Sequence, residues 1–461
     1  MAENSKISTT ASGGGNGGNI ELMVDDLRVN PGASITTASK GDGNESSEPA
    51  NINIAVQKLT LNGDIESSST SKSPAGNITI TASEYINMFG GNIFSTADFI
   101  AGKIRIGRTS EGDSKRVPTL TLTNSEINTT AFGVGNSGQI ELLVDDLQVT
   151  DNSRIVLSTD GGQIKVDAKN NILITNDSKI RSTATMKEAE EIGSIEIRAA
   201  NDLKIQDSHI FADTSNEARA GTLDFSANKI ELNNVQINGG SVGEGSGDAG
   251  TIVIKADSQL ELTNNVEISA KSGKNATNAG NIEIETDLLG IDTTTISTSS
   301  EGTGGGNISI IAKNIKDKRI TNSKITASVT GGKGEGGNLE ILGKPKYLFL
   351  DNTDITAEAD KGDGGEITIN AEVFIASSDS KVSASSDKGI DGEVNIDSTQ
   401  IEVESISLLP NRFVNVANLI KNCVTADVEE EWSIVQVGYE VSSKTAREPK
   451  RQHDPDKISC R

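Results

Sequence analysis

Short runs of alternating apolar and polar residues recur along most of the chain and predict a repeat built from short β-strands. The clearest copy covers residues 4–39 and returns without a gap as residues 124–159, with 19 identities in 36 positions. The apolar positions kept in both copies mostly lie two apart. That is strand spacing, because alternate residues of a strand share one face. An internal repeat therefore governs the fold.

Each repeat begins with an apolar-x-apolar triplet after a glycine or polar residue, and the first member of this triplet serves as a landmark. Fourteen landmarks span 374 residues, so the mean step is about 29 residues. A second triplet follows, and an Asn/Asp/Ser turn then leads to a third apolar position. The landmarks are Ile20, Ile52, Ile78, Ile104, Ile140, Ile164, Ile195, Leu223, Ile252, Ile282, Ile308, Leu339, Ile367 and Val394.

Three strands of this width cannot bury a core alone, but successive units can bury one when they stack in register. The triplets are not separated by hairpin signals and the units lack helical periodicity, which argues against meanders, sandwiches and leucine-rich repeats. The sequence therefore predicts an all-β fold, a parallel β-helix of about 14 coils. Asparagines at matching turns predict a ladder of side-chain amides along the stack: Asn152, Asn176, Asn264, Asn322 and Asn352.

The longer repeats carry their extra residues after the third strand, in stretches rich in glycine and charge at residues 239–250, 271–280, 328–337 and 358–365. We expect loops that leave one corner of the coil and make few contacts, so shortening residues 239–250 is predicted to leave stability nearly unchanged. The repeat shaft covers residues 1–403. Residues 404–440, with a short helix at 415–423, are predicted to form a C-terminal cap, and residues 441–461 a disordered tail.

Composition restricts the classes of partner. The chain has 461 residues and a net charge of −24, so nucleic acids and anionic membrane surfaces, which require a basic footprint, are not expected partners. No apolar run reaches about 18 residues, which argues against membrane insertion. No signal peptide is visible at the start, and the chain opens inside a repeat, as the later part of a longer protein would. We expect Ile7 and Ile20 to be exposed at an open end that promotes end-to-end self-association.

The motifs that suggest chemistry have simpler structural explanations. The Gly-x-Gly-x-x-Gly pattern at residues 13–18, 133–138, 245–250 and 332–337 opens strands, whereas a dinucleotide site needs it to open a helix. These four segments are predicted to be flexible corner loops. The glycine- and aspartate-containing stretches at residues 362–367 and 389–394 lack the tandem nine-residue period of calcium-binding β-rolls.

The titratable residues likewise predict no catalytic, cofactor or metal site. The pairs Asp25–Asp26 and Asp145–Asp146 are expected to point in opposite directions along an extended segment and to form polar corners rather than acid–base dyads. His209 and His453 are 244 residues apart in the chain and predict no metal site. Pairing of Cys423 with Cys460 stays open.

The repeats resemble a known family. Gly-Asn-Ile-x-Ile-x-Ala at residues 76–82 and 306–312, joined by Leu-x-Leu-x-Asn-x-Ser/Thr-x-Ile, is similar to the filamentous haemagglutinin-like exoproteins of two-partner secretion, especially the large cyanobacterial ones. The resemblance covers residues 1–403, and residues 409–423 resemble the ending of those proteins. The Arg-Gly-Gly-Leu-Pro stretch that follows in the family, and its N-terminal secretion domain with a signal peptide, do not occur in this sequence.

The resemblance implies right-handed coils, export through an outer-membrane transporter partner, and secretion or display at the cell surface or outer membrane as an adhesin. We therefore expect a non-enzymatic β-helical adhesin, with cell-surface or polysaccharide ligands that the sequence does not identify. The alternative is a pectate-lyase-like polysaccharide lyase or hydrolase on the same fold, which needs clustered carboxylates and a Lys or Arg base on neighbouring coils. No coil concentrates Asp, Arg and aromatic residues in the sequence. Ice binding would need a flat, regular threonine array, and the Ser/Thr pairs are irregular.

Overall fold

A computed structural model describes residues 1–398, apart from residues 13–16, 41–47, 71, 111–112, 134–137, 159–160, 184–191, 215–217, 242–246, 275, 277–278 and 303. The chain divides into two compact units, Met1–Gln400 and Ile401–Arg461. The second unit lies outside the described residues. The expected cap and tail, together with Cys423, Cys460 and His453, fall in it.

All regular structure in the described part of the chain is β-strand. The first sixteen strands are β1 (Lys6–Ala11), β2 (Ile20–Val29), β3 (Ser34–Ser39), β4 (Ile52–Leu61), β5 (Asp64–Ser69), β6 (Ile78–Phe89), β7 (Asn92–Ala97), β8 (Ile104–Ile106), β9 (Arg108–Ser110), β10 (Asp113–Lys115), β11 (Val117–Thr123), β12 (Glu126–Ala131), β13 (Gln139–Thr150), β14 (Arg154–Ser158), β15 (Gln163–Ala168) and β16 (Ile172–Ile174). The remaining strands are β17 (Lys179–Thr183), β18 (Ser194–Ala199), β19 (Asp202–Phe211), β20 (Leu223–Asn238), β21 (Ile252–Thr263), β22 (Val266–Ser269), β23 (Ile282–Asp292), β24 (Thr294–Ser297), β25 (Ile308–Thr321), β26 (Lys324–Thr326), β27 (Leu339–Leu342), β28 (Tyr347–Asp351), β29 (Asp354–Thr356), β30 (Glu366–Asn370), β31 (Val373–Ala376), β32 (Lys381–Ser383) and β33 (Glu393–Asp397).

The strands form a parallel β-solenoid of about 12 turns, which confirms the predicted fold class. Each strand pairs with the equivalent strand one turn away, and β9 with β10 is an antiparallel pair outside this stack. Each of the fourteen landmarks pairs with the next landmark, one turn further along the chain, from Ile20 with Ile52 to Ile367 with Val394. The number of turns is slightly below the fourteen coils expected.

The landmark column forms one wall of a continuous apolar core. Ile140 pairs with Ile164 and Ile164 with Ile195, and all three are buried, as predicted. Successive side chains of a strand point alternately inward and outward. Two or three apolar residues per strand are therefore enough to fill the core at each turn. Ile7 is 37% exposed, but Ile20 is only 5% exposed. The expected exposure of Ile20 was wrong, because Ile20 is already part of the core column.

A column of glycines seals one corner of the core. A Cβ on any of these glycines would lie closer than 3.0 Å to a carbonyl oxygen of the preceding turn. The backbones of successive turns can approach this closely only because no side chain separates them. The column includes Gly76, Gly102, Gly138, Gly193, Gly221, Gly250, Gly280, Gly306, Gly337, Gly365 and Gly392. The last glycine of three Gly-x-Gly-x-x-Gly motifs belongs to it, so for these positions the prediction of flexible loops was wrong.

Buried hydroxyls on the third strands bind the backbone of the glycine corner. The Ser67 hydroxyl accepts a hydrogen bond from the Gly76 amide at 2.7 Å, and the Ser95 hydroxyl accepts one from the Gly102 amide at 2.9 Å. Both serines are buried. Because a buried amide without a partner costs free energy, a Ser or Thr at this inward position stabilises the close approach.

The glycine- and charge-rich inserts contribute a fourth, short ladder to the solenoid. Single parallel bridges join Ser272 with Ser300, Ser300 with Val329, and Val329 with Ala359. Ser241, at the start of the insert at residues 239–250, is 1% exposed, and its amide donates to the Lys271 carbonyl at 2.8 Å. The expectation of few contacts was therefore wrong for the ends of the inserts. Residues 242–246 lie outside the described residues. We now expect a stability loss if shortening removes residues 239–241.

The turns before the third strands form a ladder of amides and carboxylates. The Asn352 amide donates to the Asn322 side chain at 3.0 Å, and the Asn322 amide to Asp292 at 3.3 Å. Asn176 donates to Asp151 at 2.8 Å rather than to Asn152. The predicted amide ladder is thus present between Asn322 and Asn352, whereas the amides of Asn322 and Asn176 donate to aspartates. Asn152, Asn176, Asn264, Asn322 and Asn352 all have positive φ, which asparagine tolerates better than most residues.

One ladder carboxylate makes stability depend on pH. The Thr321 hydroxyl, 2.6 Å away, and the Asn322 amide hold the pKa of Asp292 below its ordinary value, against the opposing effect of burial. In the unfolded chain the pKa of an aspartate is about 4, and the folded state lowers it. The ionised Asp292 therefore stabilises the fold at pH values above about 4. This stabilisation is lost as the pH falls through the lower pKa of the folded state. We expect Asp292→Asn to reduce the loss of melting temperature between pH 5 and pH 2. Asp257→Asn, at an exposed position of β21, should retain the wild-type loss. Equal pH profiles for wild type and Asp292→Asn would contradict this assignment.

Candidate binding grooves

The first groove lies at the corner between the first and second strands of several turns and has a volume of about 1090 Å³. Met23 and Val24 in its wall are 74% and 45% exposed. Asp25 and Asp145, which occupy equivalent positions of the two long repeat copies, both line it. The groove therefore combines an exposed apolar strip with isolated carboxylates.

Three of the four carboxylates in the aspartate pairs bind polar side chains near this corner. Asp25 accepts a hydrogen bond from Gln57 at 2.9 Å, whereas Asp26 contacts Arg28 at 3.3 Å. Asp146 accepts hydrogen bonds from Asn170 and Asn171 on the next turn at 2.9 and 3.1 Å. The carboxylates of Asp25 and Asp26 thus bind different partners and do not form an acid–base dyad.

Arg116 closes the same groove and is held by the shaft itself. Its guanidinium donates to the Val144 and Asp167 carbonyls at 3.0 and 2.8 Å, and to the Asp167 carboxylate at 3.0 Å. The side chain is 22% exposed. These bonds use most of the donors of Arg116, so this residue stabilises the corner rather than offering a free cation.

A second group of side chains, here termed the charge cluster, lies where the third strands of successive turns, in β14, β17 and β19, are adjacent. It contains Arg154, Lys179, Arg181, Asp177, Asp213, His209 and Phe211. A groove of about 570 Å³ runs through it. The ring centroids of His209 and Phe211 are 5.5 Å apart. This concentration is not visible in the sequence, because its members come from three turns and only the register of the strands brings them together.

The charges of the cluster are largely paired. Lys179 and His209 contact the same carboxylate oxygen of Asp177 at 3.2 and 3.3 Å, and Arg181 lies 3.6 Å from Asp213. The other ring nitrogen of His209, Nδ1, is buried and has no hydrogen-bond partner among the described residues. The cluster thus places cations, carboxylates and an aromatic platform together, but with little net charge.

A third groove, here termed the lysine cleft, lies between the third strands and the bridge ladder of the inserts and has a volume of about 590 Å³. Lys271, Lys274 and Lys324 line it together with the single carboxylate Glu301. Its other walls are mainly Ser and Thr side chains: Ser241, Thr295, Ser297, Ser299, Ser300 and Thr326. Lys271 and Lys274 lie in an insert that was predicted to be a corner loop, whereas Lys324 lies in a third strand, β26, and no site was predicted at any of them.

The structure places other candidate motifs in structural roles. Asp363 and Asp391, in the two stretches compared with calcium loops, accept backbone hydrogen bonds from Ile390 and Ser386 at 2.8 Å each. The Ser/Thr pairs at residues 36–37, 129–130, 182–183 and 297–298, considered for ice binding, each have at least one buried member: Thr37, Thr129, Ser182 and Ser297. Within the described ranges, no group of three or more His, Cys, Asp or Glu side chains could hold a metal ion. The same part of the chain contains no helix long and apolar enough to cross a membrane.

Comparison with known protein families, with curated proteins and with solved structures found no match to this chain.

Proposed function

We propose that the protein is a non-enzymatic binding shaft of the adhesin type that presents lateral grooves to polysaccharides. The observation that carries this proposal is the unbroken register of the landmark column from Ile20 to Val394. A solenoid of this regularity holds side chains of successive turns at fixed intervals of about 4.8 Å, which suits an extended ligand lying along the axis. The acidic chain, with a net charge of −24, disfavours nucleic acid as that ligand.

The cellular setting of the proposal comes from the resemblance to filamentous haemagglutinin-like exoproteins. It consists of secretion or display at the cell surface or outer membrane, with an outer-membrane transporter as the export partner. End-to-end self-association of the shaft stays a prediction. Surface labelling of cells that express the native gene, with and without permeabilisation, would test the location. Labelling only after permeabilisation would contradict it.

The binding function is tested by a glycan array with the full chain, followed by incubation of each bound polysaccharide with the protein. We expect binding to at least one polysaccharide class, no increase in reducing ends and no formation of unsaturated sugar products. Bovine serum albumin, another acidic protein, provides the control for nonspecific retention. If the protein binds none of the polysaccharides, the adhesin proposal is wrong. If reducing ends or unsaturated sugar products form, an enzymatic function replaces it.

The charge cluster favours a second candidate function, a polysaccharide lyase or hydrolase on the same fold. Such chemistry requires a cationic base and carboxylates near one sugar, and Lys179, Arg181, Asp177 and Asp213 lie on adjacent turns. If uronic-acid polymers are degraded, Arg181→Ala should reduce the rate by at least about 100-fold, which is the lower range for losing an acid or base catalyst. Arg198→Ala, on the neighbouring face, is the matched control. Equal losses for both variants would exclude the charge cluster as the reaction centre.

A further inference from the structure

The lysine cleft differs from the charge cluster in how many of its cations form ion pairs within the described part of the shaft. Lys271 lies 3.6 Å from Glu267, but Lys274 and Lys324 have no ion pair among the described residues and are exposed. In the charge cluster, by contrast, Lys179 and Arg181 each face a carboxylate. Unpaired cations in a concave site are available to an anionic group of a ligand.

A buried hydroxyl in the same cleft supplies an independent indication of a ligand. Ser241 is 1% exposed, and its Oγ has no hydrogen-bond partner among the described residues. An unsatisfied buried hydroxyl costs free energy, and such exceptions in native structures need an explanation. A ligand hydroxyl that enters the cleft would provide the missing partner.

The walls of the cleft match the hydrogen-bonding groups of a sugar. Ser297 donates to Ser299 at 3.0 Å, and Ser272 donates to Ser300 at 2.9 Å, so the side-chain hydroxyls are already oriented as short chains of donors and acceptors. A hydroxyl can donate one hydrogen bond and accept two, which leaves capacity for the vicinal hydroxyls of a saccharide. The volume of about 590 Å³ is within the usual range for small-ligand sites.

The local charge selects among saccharides. The four charged residues that line the cleft carry three positive charges and one negative charge, a local net of +2 in a chain of net −24. Long polymers of high charge density are repelled by the chain as a whole, whereas one acidic group beside Lys274 and Lys324 is attracted over a Debye length of about 8 Å.

We propose that the lysine cleft binds a saccharide unit that carries a carboxylate, with Lys274 and Lys324 facing the carboxylate and the Ser/Thr walls facing the sugar hydroxyls. This inference rests on the proposed polysaccharide-binding function and specifies its ligand class and its place on the shaft. It assigns binding to Lys274, in an insert predicted to be a corner loop, and to Lys324, in β26.

Calorimetric titration of the full chain with trigalacturonate tests the proposal, with maltotriose as the neutral sugar and inorganic phosphate as the bare anion. We expect trigalacturonate to bind at least about tenfold more tightly than either comparison probe. The double variant Lys274→Gln/Lys324→Gln should weaken trigalacturonate binding by at least about tenfold, since it removes the donors of two charge-assisted hydrogen bonds to the carboxylate. The double variant Lys103→Gln/Lys346→Gln, which removes the same charge at two exposed sites elsewhere, should bind like wild type.

Ser241→Ala separates a binding role from a structural one. Because the Ser241 hydroxyl has no partner in the described part of the fold, its removal should leave the melting temperature unchanged or slightly higher while the affinity for trigalacturonate falls. Equal affinity of the lysine double variant and wild type would overturn the assignment to this cleft even if the glycan array shows binding. Phosphate binding as tight as trigalacturonate would overturn the saccharide assignment. Absence of all glycan binding would instead remove the proposed function itself.

Discussion

Replacing Gly306 with alanine is expected to destabilise the shaft by at least about 3 kcal/mol, at the upper end for overpacking in a closely packed interior. A Cβ at this position would lie closer than 3.0 Å to the carbonyl group of Gly280 on the preceding turn. The obstructing atoms are backbone, so relief requires the two turns to separate. Separation would break the hydrogen bond from the Gly306 amide to the Thr298 carbonyl, which is 3.1 Å long. Circular dichroism melts and urea titrations measure the loss.

Gly304→Ala is the matched control, because it lies two residues earlier and a Cβ there meets no atom within 4 Å. This variant should be neutral or slightly more stable, since alanine reduces the conformational entropy of the unfolded chain. If Gly306→Ala and Gly304→Ala melt at the same temperature, the glycine column is not a packing requirement. Its glycines would then reflect only flexible loops, as the sequence analysis expected.

The core of this fold was predictable from sequence because a two-residue period fixes which side chains face inward. Ile140, Ile164 and Ile195 could be aligned by pattern alone, and parallel pairing in register followed from the repeat. The glycine column was not predictable in the same way. A glycine before a strand is equally compatible with a flexible loop and with a close approach of two backbones, and only the position of the Gly280 carbonyl distinguishes the two for Gly306.

The candidate grooves were less accessible to sequence reasoning than the core. Lys179 and His209 are 30 residues apart in the chain, yet they pair in register and contact the same Asp177. The lysine cleft similarly joins Lys274 with Lys324 across intervening turns. Outward-facing residues show no repeating apolar pattern. Which of them lie side by side on the surface therefore becomes visible only when the register of every turn, including the irregular inserts, is known. Aligning outward positions along the landmark columns would have revealed the charge cluster.

Phe225 is an aromatic side chain in a column of the core where the paired residues on both neighbouring turns are isoleucines, so its removal tests how far a packing defect spreads along the shaft. It is 1% exposed and pairs with Ile197 on one side and Ile254 on the other. In a solenoid, each turn is stabilised mainly by its two neighbours. A cavity at Phe225 should therefore weaken β18, β20 and β21 more than distant turns.

Phe225→Ala is expected to cost about 3–5 kcal/mol, because it removes a buried ring and leaves a cavity that neighbouring turns cannot fill without losing register. Amide hydrogen exchange resolves the position of the effect, with faster exchange in β18, β20 and β21 and little change in β5 and β7. Phe132→Ala is the control of the same chemistry, since Phe132 is 66% exposed, and it should leave both melting and exchange unchanged. Uniform acceleration along the whole shaft would mean that the turns unfold as one cooperative unit. A negligible effect of Phe225→Ala would contradict the burial of this side chain.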